Sequence, residues 1–246
     1  MSGLTLALRQ VRYENRAFWR NPPAAFFTFA FPLLFMAIFN VLFGERAAGF
    51  FTPAIIVFGV VTATYTNLAM TVTIARDEGI LKRIRGTPLP PWAYLAGRIG
   101  HAVVIGFLLV VIVAGFGALV YGVEVPWDAM PAVLLVLAVA AATFSALGLA
   151  VSGLIPNSDA APAVVNATIL PVLFISNVFI QMENAPGWLD TVSHALPVRH
   201  FADAMMALYA SGADAGMPWM ELGVIAAWGV IGVLAALRFF SWEPRR

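Results

Sequence analysis

The chain has 246 residues, 61% of them hydrophobic and 11% charged, with a mean hydropathy of +0.87. Soluble domains carry about 25% charged residues, so this composition excludes an ordinary soluble domain and indicates a polytopic membrane protein. A formal net charge of +1 offers no basic face to nucleic acid, and the absence of cysteine excludes disulfides, iron–sulfur clusters and thiolate chemistry.

Residues 1–21 set Leu4, Leu8, Val11 and Phe18 against Arg9, Arg12, Arg16 and Arg20 at steps of three and four. That spacing predicts an interfacial amphipathic helix resting on an anionic leaflet. The apolar run 22–44 is longer than the roughly 7–15 residues of a signal-peptide core and lacks a small-residue cleavage site, so the start is expected to be retained. Stretches near the ~20 residues that cross about 30 Å of hydrocarbon fall at 24–43, 53–75, 99–121, 130–155, 161–181 and 219–240. Six spans put both termini on one side. Twelve of the fourteen Lys and Arg residues fall on that side and only Arg46 and Arg199 on the other, so the positive-inside rule makes it the cytoplasm.

Charge concentrates between the second and third spans, from Arg76 to Arg98. Glu78 precedes Lys82 by four residues, the favourable helical order. Ile80, Leu81 and Ile84 gather on one side, and Gly86 suits a helix end. Thr87, Pro88, Pro90 and Pro91 forbid continuation but allow a new helix to begin near Trp92. A short amphipathic helix with a hard corner is therefore predicted, its charges meeting water or a protein.

The longest connection, 182–218, repeats Trp188, Leu189, Leu196, Phe201, Met205, Leu208 and Tyr209 at helical intervals, which predicts two short helices dipping into the interface. Asp190, His194, His200 and Asp203 in this loop have the residue types of an outer zinc site, or equally of a polar helix face. His101 reads as an interfacial residue at a span start.

The sequence has no phosphate-cradling G-x-x-x-x-G-K-[ST], no glycine-rich dinucleotide fingerprint and no H-E-x-x-H. Nor do its spans hold the mid-membrane ionisable groups that ion-driven carriers keep. They carry uncharged polarity instead: Thr62, Thr64, Tyr65, Thr66, Asn67, Thr71 and Thr73 in the second, Asn166, Thr168, Ser176 and Asn177 in the fifth. Such residues either bond helix to helix or line a passage; in the fifth, Pro162 and Pro171 also interrupt the ladder. Ala138, Ala142, Ala146 and Ala150 form a small-residue stripe suited to close packing.

Over nearly its whole length the chain resembles the permease subunits of type-2 ABC exporters, which serve drug, lipid-linked and polysaccharide export. The likeness is carried by Glu78-Gly79, Leu81-Lys82-Arg83 and Thr87-Pro88 after the second span, similar to that family's coupling helix. It is also carried by Ala185-Pro186-Gly187-Trp188-Leu189, Leu196-Pro197 and Phe201-Ala202-Asp203-Ala204 before the last span. The resemblance implies a single transmembrane domain, all-α, of six spans. Residues 1–21 would be the interfacial connecting helix, 76–91 the coupling loop and 182–218 the external re-entrant helices. It implies a second permease copy or related permease, and two separate ATPase subunits that hold the ATP and Mg, in the plasma (inner) membrane. On this reading Ile80, Leu81 and Ile84 fill a groove on the ATPase, while Lys82, Arg83 and Arg85 orient it. Tyr65, Asn67, Asn166, Phe174 and Asn177 are the expected substrate path. The alternatives are an ATP-independent channel or secondary carrier, and a membrane-embedded enzyme, for which only the Asp190–Asp203 cluster has convergent groups.

Overall fold

The computed structural model describes residues 3–44, 47–87, 89–179 and 186–242. Arg46, Pro88, Arg245, Arg246 and the stretch 180–185, all used above, lie outside the described residues. The described residues form helices and connections, with no strand among them. Lipid demands this, because each backbone polar group there must be satisfied within the chain.

Helix α1 (Gly3–Trp19) leads into α2 (Pro22–Phe43), which opens on prolines where a missing N–H costs nothing. Next, α3 (Ala48–Val61), one π-helical turn (Thr62–Thr66) and α4 (Asn67–Asp77) form an unbroken rod of 30 residues. The Thr64 hydroxyl donates to the Val60 carbonyl at 2.6 Å, a local bond that competes with the regular ladder where the π turn sits. The six-residue α5 (Ile80–Arg85) makes the corner into α6 (Pro91–Tyr121). Helices α7 (Met130–Ser152), α8 (Ala161–Phe174), α9 (Gly187–His194), α10 (Pro197–Ser211) and α11 (Trp219–Phe239) follow.

Among the described residues, five helices are long and apolar enough to cross a membrane: Ala25–Phe43, Ala48–Asp77, Trp92–Tyr121, Met130–Ser152 and Trp219–Phe239. The Ala48–Asp77 rod is central, its apolar window 72% buried against 17% for Ala25–Phe43 and for Trp219–Phe239, which are peripheral. The expected fifth span, 161–181, is not one helix. α8 has 14 residues, a rise of about 21 Å, and the chain leaves helical geometry at Ile175. It then turns at Asn177, whose φ is +59°, a conformation Asn tolerates better than most residues.

α7 and α11 lie side by side in the same direction. A Cβ on Gly229 would meet Thr143 Oγ1 at 2.7 Å, one on Gly232 the Leu147 nitrogen at 3.0 Å, and one on Gly153 the Phe239 carbonyl oxygen at 2.6 Å. The Thr143 hydroxyl also donates to the Ile225 carbonyl at 3.0 Å. The seam therefore runs through the glycines of α11. Of the expected alanine stripe, Ala146 and Ala150 are buried, whereas Ala138 and Ala142 are exposed.

Since α7 and α11 run the same way, the chain between them must return along the whole bundle. α8 covers the half nearer the α7 C-terminus. The α9–α10 hairpin fills the other half, inserted so deeply that the Trp228 indole, midway along α11, donates to the Ala195 carbonyl at 2.9 Å. Phe201 on α10 is fully buried and packs on Phe144 with ring centroids 6.0 Å apart. These are the two short helices expected in the 182–218 connection, packed against the middle of α11. At the far end Asp128 accepts the Ala213 and Ala129 N–H groups, each at 3.0 Å, which hold its carboxyl below the usual range and tie the α6–α7 loop to the turn after α10.

Candidate functional site

The α4–α5–α6 corner is built from Gly79 outward. Its φ of +69° is one that glycine adopts freely, and it folds α5 back onto α4. A helix of six residues cannot stand alone in water, so its apolar side docks on the bundle. Leu81 is fully buried among Leu68, Val72, Ala75, Tyr94 and Leu149, and Ile80 and Ile84 pack partly buried on the same cluster. Of the three residues expected to fill a groove on an ATPase, Leu81 is thus covered by this chain's own helices, while Ile80 and Ile84 keep part of their surface open. The exposed face belongs to Glu78, Lys82, Arg83 and Thr87. The Thr87 hydroxyl closes the helix by donating to the Ile84 carbonyl at 2.7 Å and accepting the Leu89 N–H at 3.3 Å.

Arg76, one of the charges expected to meet water or a protein, is 2% exposed. Its Nη1 donates to the Ser152 carbonyl at 2.8 Å and its Nη2 to the Ile155 carbonyl at 2.6 Å. These oxygens close α7, where the last carbonyls lack helical partners and carry partial negative charge. The neighbouring Asp77 carboxylate accepts the Ser158 N–H, just before α8. One Arg-Asp pair thus fastens α4, α7 and the start of α8 together. Beside it, Arg98 bonds Glu14 of α1 at 3.2 Å and lies 5.1 Å above the Tyr94 ring. Gly97 brings α1 close, since a Cβ there would fall 2.4 Å from Gln10. α1 therefore lies along the first turns of α6, with Arg9, Arg12, Arg16 and Arg20 on its outer face.

The five expected path residues do not come together. Tyr65 is buried in the π turn and shares a 2.8 Å hydrogen bond with Thr168 of α8. From the other side Gly148 of α7 presses so close that a Cβ would stand 2.7 Å from the Tyr65 carbonyl oxygen. Asn177 ties the end of α8 to α10, its amide donating to Asp203 at 3.1 Å. Asn67 faces a crevice with Glu14, Arg98 and His101. Only Asn166 and Phe174 are exposed, on an α8 face that also presents Pro162, Ala163, Ala167 and Leu170.

In the hairpin, Arg199 stands between the two carboxylates: it meets Asp203 at 2.6 Å and Asp190 at 3.6 Å. His194 approaches Asp190 at 3.4 Å, and His200 turns its Nε2 to the His194 carbonyl at 2.8 Å. Sequence reasoning counted Arg199 as an outer-loop charge and missed its role. Its spacing of four from Asp203 was the available sign.

The family model described as "ABC-2 type transporter" matches residues 7–209. The chain belongs to the ABC-2 type transporter family. Among its relatives is the "Daunorubicin resistance ABC transporter permease protein DrrB1" of Streptomyces coeruleorubidus, 27% identical over 241 residues, covering 84% of this chain and 75% of that one. The "Probable multidrug ABC transporter permease YbhR" of Escherichia coli (strain K12) is 23% identical over 174 residues, 70% of this chain and 47% of that one. This chain's match thus spans about half of YbhR. The "Inner membrane transport permease YadH" of the same strain is 24% identical over 173 residues, 67% of each. This ABC-2 protein is accordingly a multi-pass transmembrane permease, the transport subunit of an ABC exporter.

Proposed function

We infer that this ABC-2 permease pairs with a second permease chain, docks two separate ATPase subunits that bind ATP and Mg, and exports an amphipathic or lipophilic compound. The corner carries this reading. A helix whose apolar side is spent on its own bundle and whose free side is charged suits a partner that pushes. Glu78, Lys82, Arg83 and Thr87 make the contact, while Gly79, Ile80, Leu81 and Ile84 hold the helix at its angle. Arg76 and Asp77 then pass a displacement to α7 and α8 as one rigid-body shift.

The charge asymmetry of the sequence supports cytoplasmic termini in the inner membrane. The printed names of DrrB1 and YbhR, daunorubicin resistance and multidrug transport, favour a lipophilic cargo. The exposed α8 face, with Asn166 and Phe174, is the stretch we assign to the path between two copies. Tyr65 and Asn177 support that stretch through Thr168 and Asp203.

The test is charge reversal at the corner. Lys82→Glu with Arg83→Glu should cut ATPase co-purification and substrate-stimulated hydrolysis at least about tenfold, the scale of 1.4 kcal/mol for disrupted interfacial charge pairs. The melting temperature of the permease should not change. Full association and hydrolysis in this variant would defeat the docking assignment.

A further inference from the structure

One cavity, mostly apolar but with a cluster of polar residues on its wall, stands apart from the α5 corner and from the exposed α8 face. It lies between the end of α1, the first turns of α4 and the start of α6, holds about 210 Å³, and is lined by polar Glu14, Asn67, Thr71, Arg98 and His101 with apolar Phe18. Two of the residues that line it, Arg98 and His101, each hold a buried atom with no hydrogen-bond partner among the described residues, Nη1 and Nδ1, and the His101 residue is 8% exposed. Buried polar groups are nearly always paired, so an orphan donor and an orphan ring nitrogen at one cavity mark a place shaped for something else to bond.

We propose that this crevice binds the neutral, hydroxyl-bearing head of an amphiphile whose apolar tail lies in the surrounding bilayer. Charge selects the head. Among the described residues, the only formally charged side chains lining the cavity, Glu14 and Arg98, already meet at 3.2 Å. An added phosphate would face the Glu14 carboxylate and an added ammonium the Arg98 guanidinium, each in a poorly screened setting. Hydrogen-bonding capacity selects hydroxyls. The site offers N–H donors on Arg98 and Asn67 beside acceptors on Glu14 and Thr71, and a hydroxyl group both donates and accepts. Size limits the occupant to a head, because about 210 Å³ is below the roughly 300–1,000 Å³ that holds a drug-sized molecule. Such a head could belong to an export substrate or to a resident lipid.

The test uses the full chain in phosphatidylcholine nanodiscs and a photoactivatable alkyl glucoside. Labelling should be saturable and map to α1, α4 and α6. Unlabelled alkyl glucoside should compete at least fivefold better than an alkyl phosphate or alkyltrimethylammonium of equal chain length. Asn67→Leu and His101→Phe should each lower labelling at least fivefold without lowering the melting temperature. If either fails to fold, Thr71→Val, on the open side of the crevice, should still reduce labelling. Equal competition by the charged amphiphiles, labelling outside these helices, or variants that label like the parent would overturn the proposal. With the ATPases present, glucoside-stimulated hydrolysis identifies the head as substrate, whereas saturable binding without stimulation identifies it as resident lipid.

Discussion

Arg76 shows how a cation comes to be buried in this chain. The C-terminal carbonyls of α7 need a positive partner, and from Ile99 to Val198 the sequence contains no Lys or Arg. The nearest source is the end of α4, and Arg76 supplies two bonds from there. Arg76→Met keeps much of the volume and removes both. Hydrogen bonds to charged groups contribute about 1.5–3 kcal/mol each, so the variant should lose on the order of 3 kcal/mol in thermal unfolding, with Arg76→Lys recovering part. Unfolding like the parent would contradict the capping role. The charge of Arg76 was legible in the sequence, but its destination was not, because the residues it bonds are 76 and 79 positions away. The apolar side of Leu81 was legible too. Periodicity marks a face without saying what covers it, and its own bundle covers this one.

At the scale of elements, the α8–α10 region departs most from what the sequence suggested. The apolar run continues past Phe174 through Ile180, so nothing in its composition ends the helix early. Instead the chain turns at Asn177, which is bonded to Asp203 of α10. The two hairpin helices were legible by period, whereas their depth was not, since it is set by Trp228 on a helix that comes later in the chain. Asn177 joins these pieces by a positive φ and a bond to Asp203, and the two contributions separate by substitution. Asn177→Gly keeps the positive φ and loses the side-chain contacts to Asp203 and Met206, about 1 kcal/mol for the hydrogen bond to Asp203. Asn177→Val also forces a β-branched residue to positive φ, a further cost of roughly 1–2 kcal/mol. Denaturation of the two variants should differ by that amount. Equal stabilities would mean that the turn relaxes when substituted.

For the whole molecule, composition and charge placement make the class, the order of helices and the corner readable in the amino-acid sequence. The assembly is not readable there, because it depends on surfaces that the single chain leaves open. The α8 face is the most specific of these. The chain has no cysteine, so Leu170→Cys introduces a lone thiol on that face. Oxidation in membranes should yield a disulfide-linked dimer, while Leu119→Cys, 90% exposed at the opposite end of α6, should yield much less. Equal yields would remove α8 from the axis between copies.

In the proposed docking, α5 meets the ATPase through its charged face while Leu81 anchors it to α4, α6 and α7. Photo-crosslinking reads this directly, with a benzophenone side chain placed singly at positions 83, 87 and 119 of the assembled transporter. Positions 83 and 87 should form adducts with the ATPase, and position 119 should form none. ATPase adducts at 119, or their absence from both 83 and 87, would contradict the account.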